Sequence, residues 1–263
     1  ATDDSVRAQN RATALHCVRF DSRLGPHELT IPAVRSPGGS LVYFVPAASG
    51  SGGMFESDFD LGGGAPNAPD NGAGLTCVDH VAMGLPSEAL DTWILFCRAV
   101  LGMETGESLE LSDPFGLVRS CGVATDDRAV RMVLNVSQSR STQMARAVAA
   151  QRGASVHHIA FATDDIFATM TRLAGNGAKF VAISPNYYDD LESRFDLAPD
   201  LVARMRVQGI VYERTADGEY FHAYSQRFGD RFFFEIVQRG IGYDGYGAQN
   251  AAARLAAQVA GEP

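Results

Sequence analysis

The chain has 263 residues, 46% of them hydrophobic, and a net charge of −9. It can therefore bury one large or two modest cores, and its acidic balance argues against nucleic acid or an anionic membrane surface as a partner. No apolar run approaches the roughly 18 residues that cross a bilayer.

Cys17, Cys77, Cys97 and Cys121 show neither zinc-type spacing nor a dense framework, so free thiols in a cytoplasmic protein are expected. In chain order, Ala-Thr-Asp-Asp at 1–4 leads into a helical stretch, SVRAQNRATALHCVRF. VRSPGGSLVYFV predicts a hairpin turning at Pro37-Gly38, since Pro presets φ and Gly tolerates positive φ. Residues 47–74 contain eight glycines and little apolar content beyond Met54, Phe55, Phe59 and Leu61, which reads as a linker. Its aromatic patch, FESDFDL, is expected to pin its middle to a neighbouring surface.

Two modules of the same order follow. The first is a strand at 75–83, a helix at 87–101, and strands near 107–112, 116–123 and 129–136. The helix TQMARAVAAQRG leads to the second, with a strand at 155–162, a helix at 164–175 and a strand at 178–183. A helix-rich insertion, YYDDLESRFDLAPDLVARMRVQG, precedes the strands IVYERT, EYFHAYSQ and RFFFEIVQR, and an Ala-rich helix follows Asn250. Within the insertion, Tyr187 and Tyr188 read as a turn opening a helix, with Asp189 and Asp190 suited to its N-terminus.

Each module is βαβββ. Two side by side give an α+β fold whose sheets curl into a half-open barrel. Ala-Thr-Asp-Asp recurs at 162–165, after a strand and before a helix. No strand precedes it at the N-terminus, so the chain is expected to begin inside a module. The expected organisation is thus a module remnant at 1–46, the linker at 47–74 and the main domain at 75–263.

The strands CVDHVAM, VHHIAFA and FFFEIVQR place His80, His158 and Glu235 at intervals of 78 and 77 residues. Period-2 alternation sets each on an otherwise apolar face: His80 with Val78 and Ala82, His158 with Val156 and Ala160, Glu235 with Phe233 and Val237. A single histidine there is ordinary packing, but a carboxylate between two phenylalanines is costly unless paired or metal-bound. Two imidazoles and one carboxylate form a facial metal site with open positions. By the same alternation His157 and Asp79 face the opposite way, His157 towards outer helices or solvent. Arg239 is placed to hold an anionic substrate or to make a surface salt bridge.

VDHV, HHIAF and FFFEIVQR resemble the ligand strands of 4-hydroxyphenylpyruvate dioxygenase, a member of the vicinal oxygen chelate fold, over residues 75–250. The resemblance implies that His80, His158 and Glu235 hold the metal. It also implies that Ser120, Asn135 and Gln143 line a keto-acid pocket. Two departures stand out. His222 replaces a Gln in the strand before the Glu ligand, with Tyr224 in place of a stacking Phe. The family's Phe, Gly, any residue, Gly, Asn, Phe motif becomes Tyr246-Gly247-Ala248-Gln249-Asn250-Ala251, so the closing aromatic wall is Ala251. For His222 three roles stay open: an extra ligand, a catalytic acid–base group, or a hydrogen-bonded barrel residue. Tyr224 and Tyr246 are expected against the substrate.

IPAVRSPGGSLVYFV, FDLG, VDHVAMGLPSEALDTWILFCRAVLG, NYYDDLESRFDL, EYFHAYSQ and GYDGYGAQNA resemble the C-terminal half of bacterial two-domain 3-dehydroshikimate dehydratases. The implied partner is an N-terminal barrel that dehydrates 3-dehydroshikimate to protocatechuate. Two functions follow: an accessory metal-binding domain, expected as a homo-oligomer, or an Fe(II) dioxygenase acting on a small aromatic 2-keto acid. The metal would be iron in the second case and Mg, Mn or Co otherwise. An extradiol ring cleavage on the same fold has no local sequence support.

Overall fold

A computed structural model describes residues 1–25, 28–46, 58–59, 72–228 and 232–260. Most of the expected linker, with Met54, Phe55 and Leu61, lies outside the described residues. The chain divides into two compact units, Ala1–Asp70 with Asp91–Met103, and Asn71–Leu90 with Glu104–Pro263.

In the first unit, α1 (Ser5–Ala14) precedes an antiparallel sheet of β1 (Arg19–Phe20), β2 (Ala33–Arg35) and β3 (Leu41–Tyr43). Ala12, Val34 and Phe44 form its core, with Val100 and Leu101 packed against them. The β2–β3 turn falls where Pro37-Gly38 places it, with Gly39 at φ +85°. α2 (Leu90–Ala99) buries Trp93 and Phe96 edge to face.

The second unit is a curled sheet of eight strands: β4 (Leu75–Gly84), β5 (Glu104–Asp113), β6 (Gly116–Ala124), β7 (Arg131–Val136), β8 (Ser155–Thr163), β9 (Val211–Arg214), β10 (Glu219–Tyr224) and β11 (Phe233–Arg239). Their order is β5-β6-β7-β4-β8-β11-β10-β9. In each module the first strand pairs in parallel with the last, β4 with β7 and β8 with β11. The modules join through the antiparallel pair β4–β8.

The helices are α3 (Gln143–Ala150), α4 (Ile166–Gly175), α5 (Pro185–Arg194), α6 (Pro199–Gln208) and α7 (Ala251–Ala260). The repeated tetrapeptide does the same local work twice: Asp4 accepts from Arg7 N at 2.8 Å, and Asp165 from Ala168 N at 3.0 Å. Each satisfies an otherwise orphaned helix N–H.

Two expectations change. Residues 178–183 are not a strand: a single bridge joins Phe180 to Ser225. β9 pairs with β10 only as far as His222, so the free edge beyond it accepts Val181 N at Tyr224 O (2.8 Å) before the chain turns into α5. α5 starts at Pro185, so Asp189 and Asp190 lie past the N-terminal N–H groups and pair with Arg206 (2.7 Å) and Arg194 (2.8 Å). Tyr188 enters the core instead. No disulfide joins the cysteines, and no described helix is long and apolar enough to cross a membrane.

Leu191, Met205 and Ile210 are fully buried where α5 and α6 close over β9–β11. Leu191→Ala is expected to cost about 3 kcal/mol in urea unfolding. Val207→Ala, at an 86% exposed position of α6, is expected to stay within about 0.5 kcal/mol.

Candidate metal centre

Three adjacent strands build the site. In the ladders Ala160 of β8 pairs with His80 of β4 on one side and Glu235 of β11 on the other. Ala160 is fully buried and offers only a methyl group, so the longer side chains flanking it converge above it. His158, two residues back on β8, joins from the same face. His80 Nε2 lies 3.5 Å from Glu235 Oε2, His158 Nε2 lies 3.2 Å from the same oxygen, and the two nitrogens are 3.4 Å apart. A triangle with such edges has corners about 2 Å from one point, the bond length that N and O ligands make to a divalent metal. The donor set therefore fits a cation.

Strict alternation fails at two neighbours, for one reason. The β4–β8 register slips between Val78 and His80, where β4 advances two residues against one, and between Ala82 and Met83, where β8 does the same. Each slip is a bulge that brings an extra residue to the site side. The first bulge residue is Asp79, which accepts from His80 Nδ1 at 2.8 Å. The second is His157, whose Nδ1 lies 3.0 Å from His158 Nδ1. His157 is thus buried in the cavity wall, not turned to solvent. Arg239 clamps Asp79 with two bonds, 2.7 and 3.0 Å, and donates to the carbonyls of Tyr243 and Gly245.

Behind Glu235, His222 Nδ1 lies 2.6 Å from Oε1. Asn250 fixes where the His222 proton sits. Its Nδ2 donates to the Tyr212 carbonyl (3.0 Å), which orients the amide, and the second N–H meets His222 Nε2 at 2.9 Å. His222 Nε2 is therefore the acceptor, and Nδ1–H donates to Glu235. Both nitrogens are occupied, and His222 does not line the cavity. As placed, His222 is hydrogen-bonded within the barrel behind Glu235.

Residues 78–200 match the Glyoxalase/Bleomycin resistance protein/Dioxygenase superfamily. The chain is 42% identical over 257 residues to 3-dehydroshikimate dehydratase of Pseudomonas putida, covering 97% of this chain and 40% of that protein. A solved xylose isomerase-like TIM barrel/4-hydroxyphenylpyruvate dioxygenase fusion protein superposes with a TM-score of 0.79 at 38% identity, over 98% of this chain and 40% of that one. This chain is a dioxygenase-like vicinal oxygen chelate domain. A mutant of 4-hydroxymandelate synthase from Streptomyces coelicolor shares the fold, with a TM-score of 0.82 at 20% identity over 99% of this chain and 75% of that one. The domain spans about two fifths of the length of the dehydratase and the fusion protein.

A cavity of about 330 Å³ opens over the triad of this dioxygenase-like domain. Ser120 and Asn135, paired across β6 and β7, are in its wall with Tyr224, Tyr246 and Ala251. Tyr246 stands edge-on to His80, 5.2 Å between centroids. Gln143 is elsewhere: its Nε2 donates to Leu255 O (3.2 Å) and its Oε1 accepts from Arg227 (2.6 Å). Arg254 also lines the cavity. The sequence held a signal for it, a lone arginine at helical spacing from the apolar Ala251 and beside Leu255.

Burial pushes Glu235 up, but hydrogen bonds from His158, His222 and His80 more than offset it and hold the carboxyl well below its ordinary range. Burial brings His158 down to about 4. Burial would also lower His80, yet Asp79 and Glu235 outweigh it and raise this imidazole above its ordinary value. Surroundings that favour a proton on His80 also favour a cation in its place.

His222→Leu strands Glu235 Oε1 and the second Asn250 N–H, and is expected to cost about 3 kcal/mol in urea unfolding. His222→Gln, which can donate and accept at those two partners, is expected to lose less than half as much.

Proposed function

We propose that this domain holds one divalent cation on His80, His158 and Glu235, and serves a barrel that dehydrates 3-dehydroshikimate to protocatechuate without carrying the dehydration itself. The convergence of three donor atoms beneath an open cavity carries the metal reading. The 42% identity to a dehydratase over nearly the whole chain supports the link to a barrel.

A bound cation would supply a Lewis acid with open positions for a chelating ligand. The chain's own residues do the rest. Asp79, fixed by Arg239, keeps the His80 proton on Nδ1 and its Nε2 lone pair inward. His157, which burial keeps neutral, accepts the Nδ1 proton of His158 and orients the second imidazole. His222 holds Glu235 Oε1, leaving Oε2 for the cation. Tyr246 covers His80 and limits water.

One observation favours a second reading, an Fe(II) dioxygenase acting on 4-hydroxyphenylpyruvate or a related aromatic 2-keto acid. The triad is reachable from a cavity whose wall includes Ser120 and Asn135. Against it, Gln143 is turned away from that wall, and Ala251 supplies no aromatic ring at its own position.

The test is metal content and oxygen uptake after anaerobic loading with Fe(II), with 4-hydroxyphenylpyruvate and protocatechuate supplied in parallel. One metal per chain, abolished in His158→Ala and Glu235→Ala, is expected, with no uptake. Uptake that disappears in Glu235→Ala would establish the dioxygenase instead. Full metal content in both variants would remove the ligand assignment. Asp79→Ala and His157→Ala are expected to weaken the cation about 10- to 100-fold without abolishing it, read by competition with a chelator.

A further inference from the structure

Ala251, Arg254, Leu255 and Gln258 fall at helical spacing on one face of α7, and all four are buried. The first three line the cavity over the triad. A guanidinium is always charged and has five N–H donors, so a buried one is costly without an anion beside it. Arg254 is 8% exposed, and among the described residues it forms no ion pair. Its one hydrogen bond is from Nη1 to Gln258 Oε1, 2.9 Å.

The acidic groups of the same cavity are committed elsewhere. Glu235 is surrounded by histidines. Glu213 accepts from Tyr243 Oη (2.9 Å) and Gln249 N (3.1 Å). Glu104 and Asp244 are exposed and pair with Arg128 at 3.8 and 3.1 Å, and Glu107, the remaining acid of the lining, is exposed to water. A second buried donor beside Arg254 lacks a partner: Gln258 Nε2. The unused donors of Arg254, at the cavity wall, are complementary to an acceptor-rich anion.

The surroundings narrow its class. The guanidinium carbon lies 5.6 Å from the Tyr224 ring centre and 5.4 Å from that of Phe233. Phe233 in turn stacks on His158, 4.9 Å between centroids. Ala251, one turn before Arg254, contributes only a methyl group and leaves the space between them open. At about 330 Å³ the cavity is at the small end of ligand pockets, with room for one ring and not for a nucleotide.

We propose that Arg254 recognises the carboxylate of a monocyclic acid in this cavity, with the ring packed against Tyr224 and Tyr246. The inference rests on the ligand cavity of the reading above but not on its metal. Arg254 also makes the site select anions over neutral analogues of the same shape.

Titration calorimetry with 4-hydroxybenzoate and its neutral analogue 4-hydroxybenzamide tests this, on wild type and Arg254→Met, each with and without Zn(II), with metal content measured separately. In wild type the acid is expected to bind at least about tenfold tighter than the amide, a preference that vanishes in Arg254→Met. Metal content should be equal in the two proteins. An undiminished preference in Arg254→Met, or no binding of the acid to wild type, overturns the proposal whatever the metal does. A preference that depends on Arg254 in a chain that takes up no metal sustains it while removing the metal reading. Should Arg254→Met not fold, phenylglyoxal labelling of wild type decides. Protection of Arg254 by the acid but not by the amide at equal concentration supports the proposal, and equal labelling overturns it.

Discussion

A carboxylate with almost no access to water lies at the centre of this domain, and its position depends on the smallness of Ala160. Glu235 and His80 are on strands that never pair with each other; β8 runs between them. They meet because Ala160 holds the shared rung with a methyl group, so their side chains close over it. That row crosses both the antiparallel junction between the modules and the parallel pair that closes the second. Neither module alone assembles the three donors. A bulkier residue at 160 would push the flanking strands' side chains apart and dissolve the cluster without touching a ligand.

Burying Glu235 removes it from water at a cost that only close, well-oriented partners offset. Three histidines provide them, and each is itself held by a further polar group. Asp79 and Arg239 hold His80, His157 faces His158, and Asn250 holds His222. Asn250 Oδ1 accepts from Tyr187 of α5 (2.9 Å), whose hydroxyl in turn accepts from Tyr212 N of β9 (2.8 Å). The helical insertion of the second module is thereby tied to the back of Glu235. In a low-dielectric interior such chains are strong when complete and costly when broken, so the insertion and the site are expected to lose order together.

The convergence of His80, His158 and Glu235 was legible because period 2 is a property of a single strand, and CVDHVAM, VHHIAFA and FFFEIVQR each state which residues share a face. The helices of the insertion and the βαβββ order were legible for the same local reason. Asp79 and His157 were misplaced because a bulge belongs to a pair of strands: nothing in β4 or β8 alone announces that the other advances by a different count. The partners of His222 were not legible because one is Asn250, 28 residues away, whose orientation is set by a backbone carbonyl. Residues 178–183 have strand-like letters, but how far they pair depends on where β9 stops along β10. Gln143 was placed in the pocket by analogy of position, whereas Arg227 and the Leu255 carbonyl hold it elsewhere.

Charge in the cavity runs against charge in the chain. The protein as a whole is acidic, with a net charge of −9, yet the deep part of the cavity holds Arg254 beside a donor cluster that fits a cation. A divalent metal with one carboxylate ligand retains a positive charge, and Arg254 adds a second within a wall of aromatic rings. The cavity's exposed acidic groups, Glu104, Glu107 and Asp244, are in water, the first and last with Arg128 between them, where screening leaves them little influence at depth. An anion entering this cavity gives up hydration and meets fixed donors oriented before it arrives. A neutral analogue of the same shape would leave the guanidinium without an acceptor. Selection of an acid by this domain would therefore be a local property of α7 and its surroundings, independent of the protein's overall charge and of any metal at the triad.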